Sequence, residues 1–268
     1  MTAHPVPEPG RHPGPHPAGG LHGRVAVVTG AAGGIGAATA RRLAAEGASV
    51  ALLDIVDTAP EATSIARDTG RPALALRGDV ADEAAWTAAV ARCRSALGAV
   101  DVLVSNAYTV EVAPAHRTGP ASWDRQLAVN LTGAFLGVRA CLDDLVRHDR
   151  GSVVLVSSVH ALIGLPGRAA YAASKAGLTG LARQLATEYG GTGLRVNSVL
   201  PGPVLTGAWA DVPAGARAGA AGQTVLRRLG RAEEVAAAIA FLAGDDASFV
   251  TGAALVVDGG WSTVKTSA

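Results

Sequence analysis

The sequence places a tyrosine and a lysine four residues apart, Tyr171 and Lys175, in an alanine-rich stretch. In a helix this spacing puts both side chains on one face, about one turn apart. A free tyrosine has a pKa near ~10, too high for a general base at neutral pH. A lysine ammonium at ~5 Å, in an effective dielectric near ~20, would lower that pKa by about two units. The pair predicts proton-transfer chemistry; an amphipathic pair on a solvated helix is the alternative.

A serine precedes this pair at the end of an apolar run. Residues 153–156 are apolar and are followed by Ser157 and Ser158, thirteen residues before Tyr171. Such a run predicts a buried strand, and ligands bind at the carboxyl ends of strands in open α/β sheets. The Ser158 hydroxyl is therefore predicted to hold a substrate oxygen for proton transfer with Tyr171.

A glycine-rich segment follows the first apolar run. Residues 29–36 read TGAAGGIG and lead into a stretch of helical length. Glycines permit a tight turn and let a pyrophosphate reach backbone N–H groups at a helix N-terminus, where the helix dipole favours anions. The segment predicts a dinucleotide site, with plain helix–strand packing as the alternative. The candidate contacts are Gly30, Gly33, Gly34, Ile35 and Gly36.

Two aspartates end later apolar runs. A carboxylate at Asp54 can accept hydrogen bonds from both adenosine ribose hydroxyls and would repel a 2′-phosphate. No Arg or Lys follows at Ile55 or Val56, so NAD is predicted over NADP. Asp79 with Val80 is a candidate flank for the adenine ring. The alternatives are a loop cap for Asp54 and the N-cap of the next helix for Asp79.

Short apolar runs alternate with alanine-rich segments from residue 24 onward. This alternation predicts a single-domain Rossmann-type α/β fold, a doubly wound parallel sheet of about seven strands with helices on both faces, over residues 21–268. Strands are predicted at residues 25–29, 49–54, 73–77, 102–105, 152–157, 194–200 and 254–257. Helices are predicted at residues 35–46, 58–69, 82–97, 122–147, 169–189 and 232–243. Residues 1–20, rich in Pro, His and Gly, predict a disordered tail and not a secretory signal.

Composition narrows the class of protein. Hydrophobic residues make up 49% of the 268 residues, charged residues 17%, and the net charge is +1. The sequence contains no cluster of basic residues of the kind that indicates nucleic-acid binding. No apolar run approaches the ~20 residues that span a bilayer. Cys93 and Cys141 have no disulfide or metal-ligand spacing, so no metal site is predicted. We expect a cytoplasmic protein with a small-molecule substrate, no nucleic acid and no membrane partner.

Taken together, the motifs resemble the short-chain dehydrogenase/reductase family from about Leu21 to Trp261. The matching segments are residues 29–36, 79–80, 105–107, 130, 158, 171–175, 201–202 and 258–260. The resemblance implies that Asn130, Ser158, Tyr171 and Lys175 form the catalytic set. Asn130 would hold a water that relays protons to Lys175, with a helix-packing amide as the alternative.

The resemblance also implies further cofactor contacts. These are Asn106 and Ala107 beside the ribose, and Pro201, Gly202, Val204 and Thr206 around the nicotinamide carboxamide. The family's Asn-Asn-Ala-Gly pattern reads Ser-Asn-Ala-Tyr here, which places the ring of Tyr108 close to the cofactor. Residues 207–223 would form a mobile lid over the substrate, with Trp209 as its main anchor. Tyr108, His160 and Trp209 are the candidate substrate contacts, with a loop histidine that takes no part in catalysis as the alternative for His160.

The sequence therefore predicts an NAD-dependent oxidoreductase that interconverts a secondary alcohol and a ketone, with Tyr171 as acid/base. The alternatives are an NADPH-dependent 3-oxoacyl reductase of the same family and a non-catalytic dinucleotide-binding sensor. Residues 128–138 carry no charge, and residues 169–189 carry only three. A surface helix normally has a polar face, so these two helices are predicted to pack against a second copy, as the family resemblance also implies, in a homodimer or homotetramer; a deeply buried helix in a monomer is the alternative.

Overall fold

Apolar runs that end at polar residues form the strands. The computed structural model describes residues 20–210 and 212–263; the predicted tail lies outside them apart from Gly20. Nine strands lie within this part of the chain: β1 (Val25–Thr29), β2 (Ser49–Asp54), β3 (Ala73–Arg77), β4 (Val102–Ser105), β5 (Ser152–Val156), β6 (Arg195–Pro201), β7 (Val204–Leu205), β8 (Gly230–Arg231) and β9 (Ala254–Val257). Seven form one parallel sheet in the order β3-β2-β1-β4-β5-β6-β9, and β7 pairs with β8 separately.

Helices connect successive strands. Within the described residues they are α1 (Gly34–Ala45), α2 (Ala59–Thr69), α3 (Glu83–Ala96), α4 (Pro120–Leu127), α5 (Gly133–Leu145), α6 (Ala169–Tyr189), α7 (Ala214–Gly222) and α8 (Ala232–Ala243). None of the helices in this part of the chain has both the length and the apolar character needed to cross a bilayer. The predicted doubly wound parallel sheet is confirmed.

The two faces of the sheet bury alternate side chains of each strand. In β1, Val28 lies in a core shared with Leu43 of α1 and Ile239 of α8. The neighbouring Val27 points to the opposite face, where its core includes Leu178 of α6. Because helices cover both faces, the central strands read as continuous apolar runs rather than alternating ones.

The helix predicted at residues 122–147 is confirmed as an uninterrupted helical run over residues 120–145, but the sequence did not predict the π-helical turn within it. The chain forms α4, then a π-helical segment at Ala128–Thr132, then α5. Within the wide turn, the amide of Asn130 bonds the backbone of Thr109 in both directions, at 2.7 and 2.9 Å. A Cβ on Gly133 would lie 2.9 Å from the Val80 side chain, so only glycine lets the helix pass there. These tertiary contacts leave no periodic signal in the sequence. The helix α7 was also not predicted from the sequence.

A buried arginine holds the carboxyl end of α8. The Arg195 guanidinium donates hydrogen bonds to four carbonyls at and just beyond the end of this helix, those of Leu242, Ala243, Gly244 and Ala247. A cation is favoured at this end of the helix dipole. Burial nevertheless lowers the pKa of Arg195 to about 10.

Candidate active site

The predicted site residues meet in one cavity of about 960 Å³ at the carboxyl ends of the strands. Strand order reverses between β1 and β4, which opens the crevice in which doubly wound folds bind ligands. All of the predicted site residues line this cavity except Gly36 and Asn130.

The glycine-rich turn fits a dinucleotide pyrophosphate. Gly30 has φ +63°, and a Cβ there would lie 2.8 Å from the Ala107 Cα. A Cβ on Gly36 would come within 2.0 Å of the Gly30 carbonyl oxygen, so Gly36 packs the turn and does not reach the cavity. Gly33 faces open space, and no side chain caps the N-terminus of α1. The first N–H groups of α1 are therefore available to an anion.

Asp54 is held in place by the same turn. The backbone N–H of Ala32 donates to its carboxylate at 3.0 Å, and that of Val56 at 3.3 Å. Sequence reasoning missed Arg77, which lies beside Asp54 on β3 and donates to the Ile55 carbonyl at 3.1 Å. Arg77 does not line the cavity, so Asp54 is the charged group that faces it here.

Asp79 also lines the cavity, in an ion pair with Arg125 at 3.0 Å. Its carboxylate accepts the Ala81 N–H at 2.9 Å. The alternative interpretation of Asp79 as a helix N-cap is wrong, because Asp82 caps α3 by accepting the Ala84 N–H.

Tyr171, Ser158 and Lys175 converge at the inner end of the cavity. Tyr171 and Ser158 share a side-chain hydrogen bond, and Ser158 also accepts the His160 N–H at 3.2 Å. Lys175 is 2% exposed; its ammonium lies 5.6 Å from the Tyr171 ring centre and donates to the Val156 carbonyl at 2.8 Å. One helix, α6, carries both Tyr171 and Lys175, and Ser158 lies two residues past the end of β5.

The predicted lowering of the tyrosine pKa is not found in the cofactor-free protein. Burial raises the pKa of Tyr171 above its usual value, while the hydrogen bond with Ser158 lowers it by less. Burial also lowers the pKa of Lys175 from 10.5 to about 7. Attraction between the two charges would lower the pKa of Tyr171, but the cost of removing each charge from water outweighs it in the folded site.

Asn130 lies behind the cavity wall and is 2% exposed. Its amide nitrogen donates to the Thr109 carbonyl at 2.9 Å and to the Ser174 hydroxyl at 3.1 Å. Both amide hydrogens thus hold the π-helical turn against the loop at Thr109 and against α6, which fits the alternative that Asn130 is a helix-packing amide. The water relay to Lys175 stays a prediction.

Aromatic side chains form the wall around Tyr171. The rings of Tyr108 and His160 lie 6.2 and 5.9 Å from the Tyr171 ring, both edge-on. Burial, followed by the charge of Arg168, lowers the pKa of His160. Trp209 lines the cavity from a short turn after β7.

Sequence reasoning missed two further wall residues. Trp261 stacks edge-on with His160 at 5.6 Å, and its indole N–H donates to Gln223 at 3.0 Å. Arg168 lies with its guanidinium 5.9 Å from the Tyr171 ring. Its position three residues before Tyr171 could have revealed it, because residues three apart share a helix face. Trp261 reaches the site only through the fold.

Comparisons with known proteins agree with this geometry. Residues 30–262 match the family model described as enoyl-(acyl carrier protein) reductase. The chain is 46% identical over 242 residues to a cis-4-hydroxycyclohexanecarboxylate dehydrogenase of Sinomonas cyclohexanicum, covering 90% of this chain and 97% of that one.

Two other relatives align over most of their length. A D-threitol dehydrogenase of Mycolicibacterium smegmatis is 40% identical over 249 residues, covering 91% of this chain and 95% of its own. A 2-(R)-hydroxypropyl-CoM dehydrogenase of Xanthobacter autotrophicus is 39% identical over 248 residues, covering 90% of this chain and 99% of its own. The chain belongs to the short-chain dehydrogenase/reductase family and is an oxidoreductase that interconverts secondary alcohols and ketones.

Proposed function

We propose that the protein is an NAD-dependent dehydrogenase in which Tyr171 exchanges the proton of the substrate hydroxyl. The observation that carries this proposal is the meeting of three groups in one cavity with the glycine turn. The Ser158 and Tyr171 hydroxyls share a hydrogen bond, and the buried ammonium of Lys175 lies 5.6 Å from the Tyr171 ring.

Each residue has a distinct task. When bound along the glycine turn, the dinucleotide supplies the hydride acceptor for oxidation, or the donor for reduction. Ser158 donates a hydrogen bond to the substrate oxygen and orients it toward Tyr171. In oxidation the Tyr171 phenolate accepts the alcohol proton; in reduction the phenol returns it to the ketone oxygen. The Lys175 ammonium stabilises the phenolate and binds ribose hydroxyls.

The preference for NAD rests on Asp54. Its carboxylate is fixed by two backbone N–H groups and faces the cavity at the end of β2. A ribose diol can donate to this carboxylate, whereas a 2′-phosphate would be repelled by it. Arg77, the nearest cation on the neighbouring strand, is engaged with the Ile55 carbonyl. This preference also argues against the NADPH-dependent 3-oxoacyl reductase.

The relatives' names support a secondary alcohol on a varied carbon skeleton, since they include a hydroxylated ring and an open-chain polyol. A test mixes the protein with NAD and a panel of cyclic and acyclic secondary alcohols and follows NADH absorbance. A parallel reaction supplies NADPH with a 3-oxoacyl thioester. Alcohol-dependent NADH formation is expected; NADPH oxidation alone would favour the reductase, and nucleotide binding without turnover the sensor.

The Tyr171→Phe variant tests the assigned role directly. It removes one hydroxyl and keeps the ring that packs against Tyr108 and His160. We expect NADH binding to persist while turnover falls by about 10²–10⁴-fold, the usual contribution of a general acid/base. Thr87→Val, an exposed change on α3, serves as the control. Near-wild-type turnover in Tyr171→Phe would contradict the assignment.

We also propose that the protein assembles through α5 and α6 as a homodimer or homotetramer. Phe135 is 43% exposed and lies on an apolar groove with Leu131, Gly177 and Leu181. An apolar face of this kind fits a second copy of itself about a twofold axis. Sedimentation should give two or four times the 26.7 kDa chain mass, and Phe135→Arg should shift it toward one. A 26.7 kDa species of wild-type protein at micromolar concentration would contradict this proposal.

A further inference from the structure

An arginine lies at the substrate end of the cavity with its charge unmatched. Arg168 lines the cavity, and its guanidinium carbon is 5.9 Å from the centre of the Tyr171 ring. Its Nε is buried and has no hydrogen-bond partner among residues 20–210 and 212–263. An N–H group shielded from water in this way normally has an acceptor, because leaving it unpaired costs free energy.

The placement of Arg168 is not explained by helix stability. Arg168 is the N-cap residue of α6 and makes no side-chain cap. Ser, Thr, Asp and Asn are preferred at this position, and the positive end of the helix dipole disfavours a cation there. The backbone is nevertheless held firmly by a bridge to Ala113 and by the Ala113 N–H bond to Gly167 at 3.0 Å. The fold thus fixes a guanidinium at a position that local energetics oppose.

Neighbouring charges do not neutralise this group. Two arginines line the cavity, and Arg125 is paired with Asp79 at 3.0 Å. Within the described part of the chain, no carboxylate lies within 4.0 Å of Arg168. Its positive charge lowers the pKa of His160, as burial also does. The same charge lowers the pKa of Tyr171, which burial raises. The substrate end of the cavity is therefore electropositive.

We propose that Arg168 binds an anionic oxygen group, a carboxylate or a sulfonate, on the substrate alcohol. The planar guanidinium suits two-point binding of such a group. The same cavity is lined by the rings of Tyr108, His160 and Trp261, which lie close to Tyr171 or to one another. The complementary substrate has a hydroxyl at one end, a hydrocarbon ring or short chain in the middle and the anion at the other end. This inference rests on the proposed dehydrogenase function.

Matched substrates separate the anion from the alcohol. The probes are 4-hydroxycyclohexanecarboxylate, its methyl ester and 4-hydroxycyclohexanesulfonate, each assayed with NAD. We expect wild-type kcat/KM to be at least about 10-fold higher for one of the anions than for the ester. Arg168→Gln should lower kcat/KM for that anion by about 10–100-fold, mainly through KM, and lower that for the ester much less, so that the anion-to-ester ratio of kcat/KM falls by about 10-fold. Any loss with the ester reports the effect of the Arg168 charge on Tyr171 and should lie in kcat. Arg92→Gln, at an exposed position on α3, should leave both values unaltered.

A binding measurement keeps the inference testable apart from turnover. Calorimetric titration of the protein with cyclohexanecarboxylate and cyclohexanesulfonate, with and without NADH, needs no reaction. At least one of the two anions should bind the wild type and bind Arg168→Gln about 10-fold more weakly or worse. Arg168→Lys keeps the charge without the two-point geometry and should give an intermediate affinity. It also serves as the second variant if Arg168→Gln does not fold.

The outcomes separate the two proposals. Equal kcat/KM for acid and ester in the wild type would overturn the anion site while leaving the dehydrogenase intact. No oxidation of any alcohol, with Arg168-dependent anion binding retained, would overturn the proposed function and uphold the anion site. Anion binding that is absent in the wild type, or equal in wild type and Arg168→Gln, would overturn the anion site.

Discussion

Replacing Lys175 with methionine should stabilise the cofactor-free protein at low pH and destabilise it at high pH. Burial lowers the pKa of Lys175 from 10.5 to about 7, so holding the charged form in the fold costs about 5 kcal/mol at ~1.4 kcal/mol per pKa unit. Methionine has similar length and no charge. It loses the hydrogen bond to the Val156 carbonyl, and an unpaired buried carbonyl costs about 1–3 kcal/mol.

The sign of the effect follows from proton linkage. Between pH 7 and 10.5 the unfolded lysine holds its proton and the folded one has lost it, so wild-type stability rises with pH across this window. At pH 6 the charge cost is fully present, and Lys175→Met should be more stable by about 2–4 kcal/mol. As the cost fades, the lost hydrogen bond dominates. The difference in the free energy of unfolding should change sign between about pH 8 and 10.

Urea unfolding at pH 6 and pH 10, followed by tryptophan fluorescence without cofactor, measures this difference. Protein concentration must be equal in all samples, because assembly shifts apparent stability. Arg92→Met, at an exposed position on α3, controls for a general effect of removing a cation. A Lys175→Met protein that is less stable than wild type at pH 6, or equally shifted at both pH values, would refute the reasoning.

Three other changes probe the remaining parts of the molecule. Ser158→Ala should lower turnover by about 10-fold or more and leave NADH affinity within about 3-fold by fluorescence titration, because the hydroxyl acts on Tyr171 and the substrate oxygen and is assigned no contact with the dinucleotide; weakened NADH binding would contradict that. Asp54→Ala combined with Ile55→Arg should shift the kcat/KM ratio toward NADP by about 100-fold, as expected from removing a like charge and adding a cation; wild-type protein that binds NADPH more tightly than NADH would overturn the role of Asp54. Arg195→Met should cost about 3–5 kcal/mol in urea unfolding, since four carbonyls at and just beyond the end of α8 each lose one donor and a buried guanidinium is removed from among them; a loss under 1 kcal/mol would mean that the remaining donors or water replace it.

The sheet could be predicted closely because its signal is local. Strands buried on both faces are short apolar runs, and each ends where the chain turns to a polar residue or glycine. The predicted strand at residues 194–200 lies within one residue of β6. The π-helical turn that joins α4 to α5 could not be predicted, because it accompanies a contact of the Asn130 amide with the Thr109 backbone across the fold. The helix α7 buries no residue and gives no periodic pattern.

The residues of the candidate site also differ in whether their signal is local in the sequence or arises only in the fold. The glycine turn, Ser158 and the Tyr171–Lys175 pair were predicted because each is written as a short spacing beside one strand or on one helix. The wall was only partly predicted, since Trp261 arrives from the C-terminal segment and contacts His160 only in three dimensions. The sign of the pKa shift at Tyr171 was wrong because burial is a property of the folded site and not of a spacing.

The pKa shifts of Tyr171 and Lys175 determine which protonation state the site favours. Burial favours the neutral phenol of Tyr171 and the neutral amine of Lys175, whereas proton transfer from an alcohol needs phenolate beside ammonium. Two such groups titrate as a pair, because each charge lowers the cost of the other in a medium of low dielectric. The neutral and the charged pair hold the same number of protons, so conversion between them needs only proton redistribution within the site. The Arg168 charge favours the phenolate, and the Val156 carbonyl favours the ammonium. The residues around the pair thus offset part of the cost that burial imposes on its reactive form.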